Sequence, residues 1–364
     1  MIIKKIERKR VSDNVLSAPP IGDKKLKVAI VGHNVYNSSS IWMAVGFKRH
    51  PKVEEVFNYD YKDAVKTKNA AEIKSEFLKL DENYDLIIIM KGTKLPLDVV
   101  PKNPKSIFFY WFMDRYLTEG NKKVASTCHF RSATGFGIAS EITDLLSMTT
   151  YHIIDGAAPE HFYKMTPRPT KDIDVSFVGD SGETDRKSIH NELKKMSGVN
   201  AQFFGPGFSS FVYPDKYREI CNRSKIVLNL SRSDNRGRKI FIGYSSLRLW
   251  NVLSCGSMVI TKPIPEMTKY LGLKEGRDIV TYNDINSLKL KINHYLQNEK
   301  EREKIASNGW RYASENRTWN NVANDIIDVI TTEPSQRIQK IKLDNPKRKE
   351  IIQRRMARPI RRNV

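Results

Sequence analysis

The chain has 364 residues, of which 40% are hydrophobic and 28% are charged, as expected of a globular protein with two domains of ~150 residues each. It contains no apolar run of the ~18 residues that a membrane span needs and no apolar leader, so the sequence predicts neither a membrane span nor a secreted protein. Cys128, Cys221 and Cys255 are far apart, which favours buried thiols in a reducing, cytoplasmic setting over disulfides or a metal site.

The charge is strongly basic, with 62 Lys and Arg residues against 41 Asp and Glu residues and a net charge of +21. Residues 1–27 carry +5 and residues 336–364 carry +9, so both ends contribute to the excess. Basic ends of this kind favour nucleic acid or another polyanion as a partner, and a purely solubilising role is the alternative.

The first half of the chain predicts a doubly wound α/β domain over residues 26–165, after a basic arm at residues 1–25. Its apolar runs do not alternate, which is typical of strands covered on both faces. His33 and Asn34 open a polar loop after the first strand, where a ligand-facing loop belongs, but the sequence has no G-x-G-x-x-G and so does not support a dinucleotide. Strands are predicted at Lys27–Gly32, Glu55–Tyr59, Asp85–Met90, Ser106–Met113, Ala125–Phe130 and Tyr151–Ile154, with a helix through Trp42 and Phe47.

A breaker-rich linker at Met165–Thr170 leads to a second α/β domain over residues 170–318. A helix at residues 319–335 is predicted to cross back to the first domain, followed by a basic tail at residues 336–364. Strands are predicted at Asp174–Gly179, Gln202–Gly205, Lys225–Leu230, Met258–Ile260 and Asp278–Tyr282, and helices at Arg186–Met196, Pro214–Asn222 and from Asn283 onwards.

The stretch at residues 245–256 predicts a helix between two parallel strands. Two serines, Ser245 and Ser246, are placed to cap its start and Gly256 to end it. Since the start of such a helix lies at the carboxyl edge of the sheet, its free N–H groups predict an anion site, to which Arg248 adds a cation. An ordinary crossover helix with an exposed arginine is the alternative.

Two resemblances narrow the function. Residues 247–260, 275–284 and 308–309 resemble the CgeB-like glycosyltransferase domain over about residues 173–330. This resemblance implies the α/β GT-B fold, in which two Rossmann-like domains face a cleft, with the donor nucleotide on the C-terminal domain and the acceptor on the N-terminal one. The segments Phe109–Arg115, Asp174–Asp180 and Leu247–Trp250, together with Arg186 and Phe203–Gly205, are similar to the DNA β-glucosyltransferases of T-even phages.

The second resemblance implies roles for individual residues. Asp114 becomes the catalytic base, and Arg186 and Arg248 hold the diphosphate. Two positions depart from the family: Asn251 replaces the acid that binds the ribose, and a phosphate arginine near Gly182 is absent. Further donor contacts are expected from Tyr244, Gly179, Ser246 and Glu266, and acceptor or DNA contacts from His33, Asn34, Arg115, Arg232, Arg236, Arg238, Lys347, Arg348, Lys349, Arg354 and Arg355.

Simpler interpretations stand beside these roles. Asp114 is alternatively a helix cap or an ion pair with Arg115, Arg186 a surface arginine, and Glu266 the start of the next helix. Asp172 and Asp174 match D-x-D, the metal motif of another glycosyltransferase fold. Here they come at the start of a strand and are better explained as polar residues that mark where the strand begins.

The sequence thus favours an inverting, metal-independent glycosyltransferase with no cofactor beyond a nucleotide-sugar donor, expected to be UDP-linked. The expected acceptor is double-stranded DNA that carries a hydroxymethylpyrimidine, which places the protein in the host cytoplasm if it is phage-encoded. A CgeB-like transferase acting on a protein or cell-envelope glycan and a non-catalytic nucleic-acid-binding protein are the alternatives. The sugar and the oligomeric state stay open.

Overall fold

A computed structural model describes residues 18–22, 24–36, 38–114, 117–182, 184–231 and 241–332, with the backbone alone at residues 4–6 and 184. Within these residues the chain forms two α/β domains, each built on one sheet. The first domain consists of β1 (Lys4–Ile6), β2 (Leu26–Gly32), α1 (Ser39–Lys48), β3 (Val53–Asp60), α2 (Tyr61–Thr67), α3 (Ala70–Asn83), β4 (Leu86–Met90), β5 (Ile107–Phe112), α4 (Glu119–Thr127), β6 (Phe130–Ala133), α5 (Phe136–Leu146) and β7 (Thr150–His152).

The first sheet has the order β1-β7-β6-β5-β4-β2-β3 among the described strands, and only β1 runs antiparallel to its neighbour. β1 lies within the segment that the sequence predicts as an arm. Every residue of β4 and β5 is buried, as their non-alternating apolar runs predict. Since β3 and β4 pair with opposite sides of β2, a crevice opens beyond the carboxyl ends of β2 and β4.

The second domain is built on a parallel sheet of five described strands in the order β12-β11-β10-β8-β9. The order reverses between β8 and β10, which places a second crevice beyond the carboxyl ends of these two strands. Its elements are β8 (Ile173–Val178), α6 (Thr184–Lys194), β9 (Ala201–Phe204), α7 (Pro214–Arg223), β10 (Ser224–Asn229), α8 (Leu247–Ser254), β11 (Met258–Thr261), α9 (Met267–Leu271), β12 (Val280–Thr281), α10 (Ile285–Gln297), α11 (Glu299–Asn316) and α12 (Trp319–Thr332).

Helix α12 crosses back to the first domain, as predicted. Trp319 N donates to the Ala157 carbonyl (3.1 Å), and Ala157 N donates to the Arg317 carbonyl (2.8 Å). A Cβ on Gly46 of α1 would lie 2.3 Å from the Trp319 carbonyl oxygen, so glycine is required where the two helices meet. The helix therefore joins the two domains through close backbone contact.

One apolar core spans both domains. It includes Trp42 and Trp111 from the first domain, Val227 and Trp250 from the second, and Trp319 from α12. These side chains pack together, so the two domains share one core.

One predicted strand is wrong. Residues 125–127 belong to α4, and the strand begins only at Phe130. The apolar sequence pattern of this strand is interrupted because β6 contains Arg131. This arginine is buried, and its guanidinium donates at 2.6–3.3 Å to the carbonyls of Ala125, Cys128, His129 and Thr149. A charged residue in a buried strand breaks the apolar pattern on which the prediction relies.

Candidate active site

The crevice of the second domain is bridged by Arg248. Its Nε donates to the Val178 carbonyl at the end of β8 (2.7 Å), and its Nη1 donates to the Leu230 carbonyl just after β10 (3.3 Å). The guanidinium also lies over the Phe177 ring, 4.9 Å from the ring centroid. Nη2 makes no hydrogen bond within the described part of the chain. Three contacts thus fix the guanidinium and leave one edge for a ligand.

Arg186 meets Arg248 at the same carbonyl. Its Nε and Nη2 donate to Leu230 O (3.1 and 2.9 Å), and its Nη1 donates to the Asp180 carbonyl and contacts the Asp180 carboxylate (3.1 Å). The side chain is only 3% exposed. The structure therefore brings the two predicted arginines together at one carbonyl, with Arg186 the more buried of the two, and its phosphate role stays a prediction.

The start of α8 lies beside Arg248 and is not capped as predicted. The Ser246 side chain makes no capping bond to the helix; its hydroxyl donates to Asn229 Oδ1 (2.9 Å). The Ser245 hydroxyl accepts from Trp250 Nε1 (3.0 Å) instead. Capping by the serine side chains was therefore wrong, and the first turn contains no acidic residue. The positive end of the helix dipole adds to the Arg248 charge at this point.

The end of α8 agrees with the prediction, since Gly256 follows the helix with φ +71°. All of Leu249 to Ser254 is buried, because the helix packs against α11 and the shared core.

Gly179 makes room for the arginine. A Cβ at this position would lie 2.7 Å from Arg248 Nη2 and 2.8 Å from Phe177 Cζ. Any larger residue after β8 would therefore push the guanidinium away from its carbonyl partners.

The other predicted donor residues differ in their burial and in their contacts. Asn251 is 3% exposed, and its Oδ1 has no hydrogen-bond partner among the described residues. Tyr244 packs against the first domain at Gly135, next to α5. Glu266 is a non-glycine residue with φ +53°, precedes α9 and pairs with Lys269 (2.8 Å). Their donor roles stay predictions.

Asp114 follows β5 on the first domain. Its side chain is 53% exposed, and its Oδ1 lies 2.9 Å from Lys91 Nζ. Lys91 directly follows β4, and Asp155, which is only 7% exposed, follows β7. The carboxyl edge of the first sheet therefore carries two carboxylates and one ammonium group.

His33 and Asn34 lie at the end of β2, as predicted. The His33 carbonyl accepts hydrogen bonds from the hydroxyls of Ser38 and Ser40, which fold the loop back onto the strand. Asn34 N donates to Asp60 Oδ2 (3.1 Å), and its Nδ2 donates to the Asn58 carbonyl (3.0 Å). Asn34 thus has a structural task in the loop, and its acceptor role stays a prediction.

The residues that precede Asp114 and Arg248 pack into the same apolar core. Met113 precedes Asp114, Leu247 precedes Arg248, and both pack against the core that spans the two domains. Phe136 of the first domain also stacks on Tyr270 of the second, with centroids 3.9 Å apart. The residues next to Asp114 and Arg248 thus belong to one core, and a common ligand for the two side chains stays a prediction.

Several predicted acceptor residues lie outside the described residues. They are Arg115, Arg232, Arg236, Arg238, Lys347, Arg348, Lys349, Arg354 and Arg355.

Sequence reasoning missed Lys91 and Asp155. Lys91 directly follows an apolar strand and Asp155 follows a shorter one, and this position at the carboxyl end of a predicted strand is the signal that could have found them. Lys91 is also a non-glycine residue with φ +64°, which no sequence pattern reveals.

The D-x-D residues pair with neighbouring cations at the amino end of β8, Asp172 with Arg223 and Asp174 with Lys225 (2.7 Å). The interpretation of Asp172 and Asp174 as polar residues that mark the start of a strand is confirmed. The described residues contain no cluster of three or more His, Cys, Asp or Glu side chains arranged to hold a metal ion, and metal independence stays a prediction.

None of the described helices combines the length and the apolar content that crossing a bilayer requires.

The comparisons with known proteins agree with this architecture. Residues 186–328 match the family model described as glycosyl transferase-like. An alpha-glucosyltransferase in complex with UDP and a mismatched 13-mer DNA superposes with a TM-score of 0.63 at 11% identity, over 85% of this chain and 100% of that one. The chain has the GT-B fold.

Other GT-B structures superpose at similar levels. HepE of Anabaena in complex with UDP gives a TM-score of 0.61 at 11% identity, over 84% of this chain and 100% of that one. The DNA-modifying enzyme beta-glucosyltransferase gives 0.53 at 15% identity, over 84% and 99%. No curated protein matches the chain at a significant level. At these identities the likeness establishes the fold alone.

Proposed function

We propose that this GT-B protein is a glycosyltransferase that moves a sugar from a UDP-linked donor to a hydroxyl group on hydroxymethylpyrimidine-containing DNA. The observation that carries the proposal is the anchored Arg248 guanidinium, whose Nη2 edge has no hydrogen bond among the described residues and lies beside the start of α8.

The diphosphate of the donor suits this position. Main-chain N–H groups at a helix start and an arginine fork both favour phosphate oxygens. During transfer the bond between the sugar and the diphosphate breaks, and negative charge grows on the leaving oxygen. A guanidinium already held by two carbonyls needs little rearrangement to stabilise that charge.

The acceptor side is assigned to Asp114. Its side chain is half exposed, and its Oδ1 lies 2.9 Å from Lys91 Nζ. It takes the proton of the acceptor hydroxyl while that oxygen attacks the anomeric carbon. In this proposal the acceptor oxygen attacks the anomeric carbon in line with the departing diphosphate, and such a single displacement inverts the anomeric configuration.

Two observations support DNA as the acceptor. The net charge of +21 is concentrated at the chain ends, where it can neutralise phosphates without reading sequence. Two solved structures that share the fold are described as an alpha-glucosyltransferase with DNA and a DNA-modifying enzyme. A base inside a duplex has to be flipped out to reach a cleft between two domains.

A second acceptor class has its own support. HepE of Anabaena in complex with UDP superposes with a TM-score of 0.61, close to the 0.63 of the DNA-bound enzyme. A glycosyltransferase acting on a protein or envelope glycan is therefore the second candidate. The third candidate, a non-catalytic nucleic-acid-binding protein, is suggested by Asn251, which stands where the resemblance implies an acid that binds the ribose.

The test is a transfer screen of UDP-sugars against unmodified duplex, duplex with hydroxymethylcytosine or hydroxymethyluracil, and glycan and peptide acceptors, read by intact mass. We expect transfer to modified duplex only, lost in Asp114→Asn and retained in Asp98→Asn, a control at a 72% exposed aspartate in a surface pair with Lys74.

The three functions give different results in this screen. Transfer to glycan or peptide alone supports the second candidate, and salt-sensitive DNA binding without donor turnover supports the third. Removal of residues 336–364 should weaken DNA binding without affecting UDP binding.

A further inference from the structure

Exposed aromatic rings are concentrated at one place on the protein surface. Five aromatic side chains of the described residues are exposed, and four of them belong to segments that contact one another: Tyr36 (52%), Tyr163 (41%), Phe211 (51%) and Tyr213 (62%). The fifth, Phe57, lies on the edge strand β3. A single exposed ring is ordinary, whereas a group of exposed rings marks an interaction surface. We call the four residues the aromatic patch.

Tyr36 connects the two domains within the aromatic patch. It lies on the loop that follows β2 in the first domain, and its Oη donates to Asp215 Oδ2 in α7 of the second domain (3.4 Å). Its ring also packs edge-to-face on the ring of His161, with the ring centroids 5.2 Å apart and an angle of 79° between the planes. The patch therefore extends over a contact between the two domains.

Arg218 of α7 fixes the centre of the aromatic patch. Its Nη1 donates to Asp215 Oδ1 (2.9 Å) and to the His161 carbonyl (3.2 Å), and its guanidinium lies over the Tyr163 ring, 4.6 Å from the ring centroid. Asp215 is thereby paired with a cation, so this acid does not leave an unbalanced negative charge beside the rings. The same arginine holds the Tyr163 ring in place.

The other two rings of the patch lie on the loop that follows β9. Phe211 and Tyr213 pack edge-to-face with centroids 5.0 Å apart, and Tyr213 directly precedes α7. Backbone hydrogen bonds close the start of this loop, because Phe208 N and Ser209 N both donate to the Gly205 carbonyl (2.9 and 2.8 Å). A loop that is already ordered in this way loses less conformational freedom when its rings bind a partner.

The aromatic patch adjoins the crevice loops of both domains. Ser181 N, in the loop after β8, donates to the Pro206 carbonyl (2.8 Å), and a Cβ on Gly205 would lie 2.6 Å from the Gly179 carbonyl oxygen. Tyr36 lies in the loop after β2 of the first domain. Because all these loops follow the carboxyl ends of parallel strands, they border the crevices in which ligands of such sheets bind.

We propose that the aromatic patch binds the acceptor DNA, with bases beside the target nucleotide stacking on the rings of Tyr36, Phe211 and Tyr213. Flipping a base out of a duplex breaks its stacking on both neighbours, whose exposed faces can then stack on aromatic side chains. The inference rests on the proposed function and deepens it, because it names a surface beside the crevices that holds the DNA.

Two properties of the chain favour nucleic acid over an apolar protein partner. The net charge of +21 attracts phosphates at long range. Aromatic side chains stack on any base, because every base has a π face. In this scheme the basic ends supply the part of DNA binding that depends on salt, and the aromatic patch supplies a part that depends on it much less.

The test measures the Kd for DNA by fluorescence anisotropy, with the full chain, at several KCl concentrations. The probe is a labelled duplex that contains one hydroxymethylpyrimidine. Tyr213→Ala and Phe211→Ala should each raise the Kd about 5- to 150-fold, the effect of losing one stacked base. The slope of log Kd against log salt concentration should stay unchanged, because neither substitution removes a charge.

Further variants serve as controls. Tyr213→Phe keeps the ring and should bind the duplex within about twofold of the wild type. Phe57→Ala removes an exposed ring outside the patch and should leave the Kd unchanged. Removal of residues 336–364 takes away net charge and should lower the salt slope. Since the Tyr213 side chain makes no capping bond to α7, Tyr213→Ala should fold and bind UDP as the wild type does.

The inference is overturned if Tyr213→Ala and Phe211→Ala bind the duplex as tightly as the wild type, or if the wild type does not bind it. It is also overturned if both variants lower the salt slope as removal of residues 336–364 does, or if they weaken binding of a glycan acceptor and not of DNA. If the duplex is bound but accepts no sugar, the proposed function fails, and the anisotropy result still decides whether the patch binds DNA.

Discussion

Gly179→Ala tests whether the position of Arg248 controls donor binding. The added methyl would lie 2.7 Å from Arg248 Nη2, whereas an ordinary contact is at least 3.4 Å, so the nitrogen has to retreat by about 0.7 Å. A shift of that size stretches the 2.7 Å hydrogen bond from Arg248 Nε to the Val178 carbonyl beyond the normal range. The phosphate contact of the guanidinium is then misplaced.

The expected loss follows from the contact that is removed. A hydrogen bond from a charged donor is worth about 1.5–3 kcal/mol, which corresponds to a rise of about 10- to 150-fold in the Kd for UDP. The same methyl also crowds Phe177, so we expect the free energy of unfolding to fall by about 1–3 kcal/mol. Isothermal titration with UDP and thermal unfolding separate the two effects.

Gly182→Ala is the matched control, because it adds the same methyl to the same loop. Its Cβ would lie 3.1 Å from Asp180 Oδ1, on an exposed part of the loop, and we expect UDP binding within about twofold of the wild type. A folded Gly179→Ala protein that binds UDP as tightly as the wild type would refute the assignment of Arg248.

Three further substitutions test the fold around the site. Gly156→Ala would place a Cβ 2.3 Å from the Thr318 carbonyl carbon, so we expect the free energy of unfolding, measured with urea, to fall by about 1–3 kcal/mol. An unchanged unfolding midpoint would show that α12 does not depend on this contact. Arg131→Met leaves four buried carbonyls without their donor, so stability should fall by about 3 kcal/mol, and a neutral result would mean that removing the buried charge offsets the lost bonds. Burial raises the pKa of Asp325 to about 6, so its favourable contribution is complete below the unfolded pKa of about 4 and is lost as the pH rises through 6. Asp325→Asn should therefore stabilise the protein by about 3 kcal/mol at pH 8 and by much less at pH 4; equal effects at both pH values would contradict this.

The sequence predicted most of the fold because its strands are continuous apolar runs. The buried strands β4 and β5 and the unit of β10, α8 and β11 were found at nearly their observed bounds. β6 was misplaced because Arg131 satisfies its charge through backbone carbonyls, which a pattern of residue types does not show.

The site was predicted less completely because its geometry depends on where side chains point. Arg186 and Arg248 were both found, yet only the structure distinguishes the buried Arg186 from Arg248, whose Nη2 makes no hydrogen bond to any residue that the structure describes. Ser246 was expected to cap α8, but its hydroxyl donates a hydrogen bond to Asn229 Oδ1 at the end of β10. Asp155 was missed because its unusual environment arises from contacts between strands that are distant in the sequence.

The central claim is that Arg248 and Asp114 serve one ligand from opposite domains. The most direct measurement compares UDP binding and sugar transfer in Arg248→Gln and Asp114→Asn. We predict that Arg248→Gln raises the Kd for UDP about 10- to 150-fold. Asp114→Asn should bind UDP within about twofold of the wild type but transfer sugar about 100- to 10,000-fold more slowly. If Arg248→Gln binds UDP normally, or Asp114→Asn transfers sugar at the rate of the wild type, the account is contradicted.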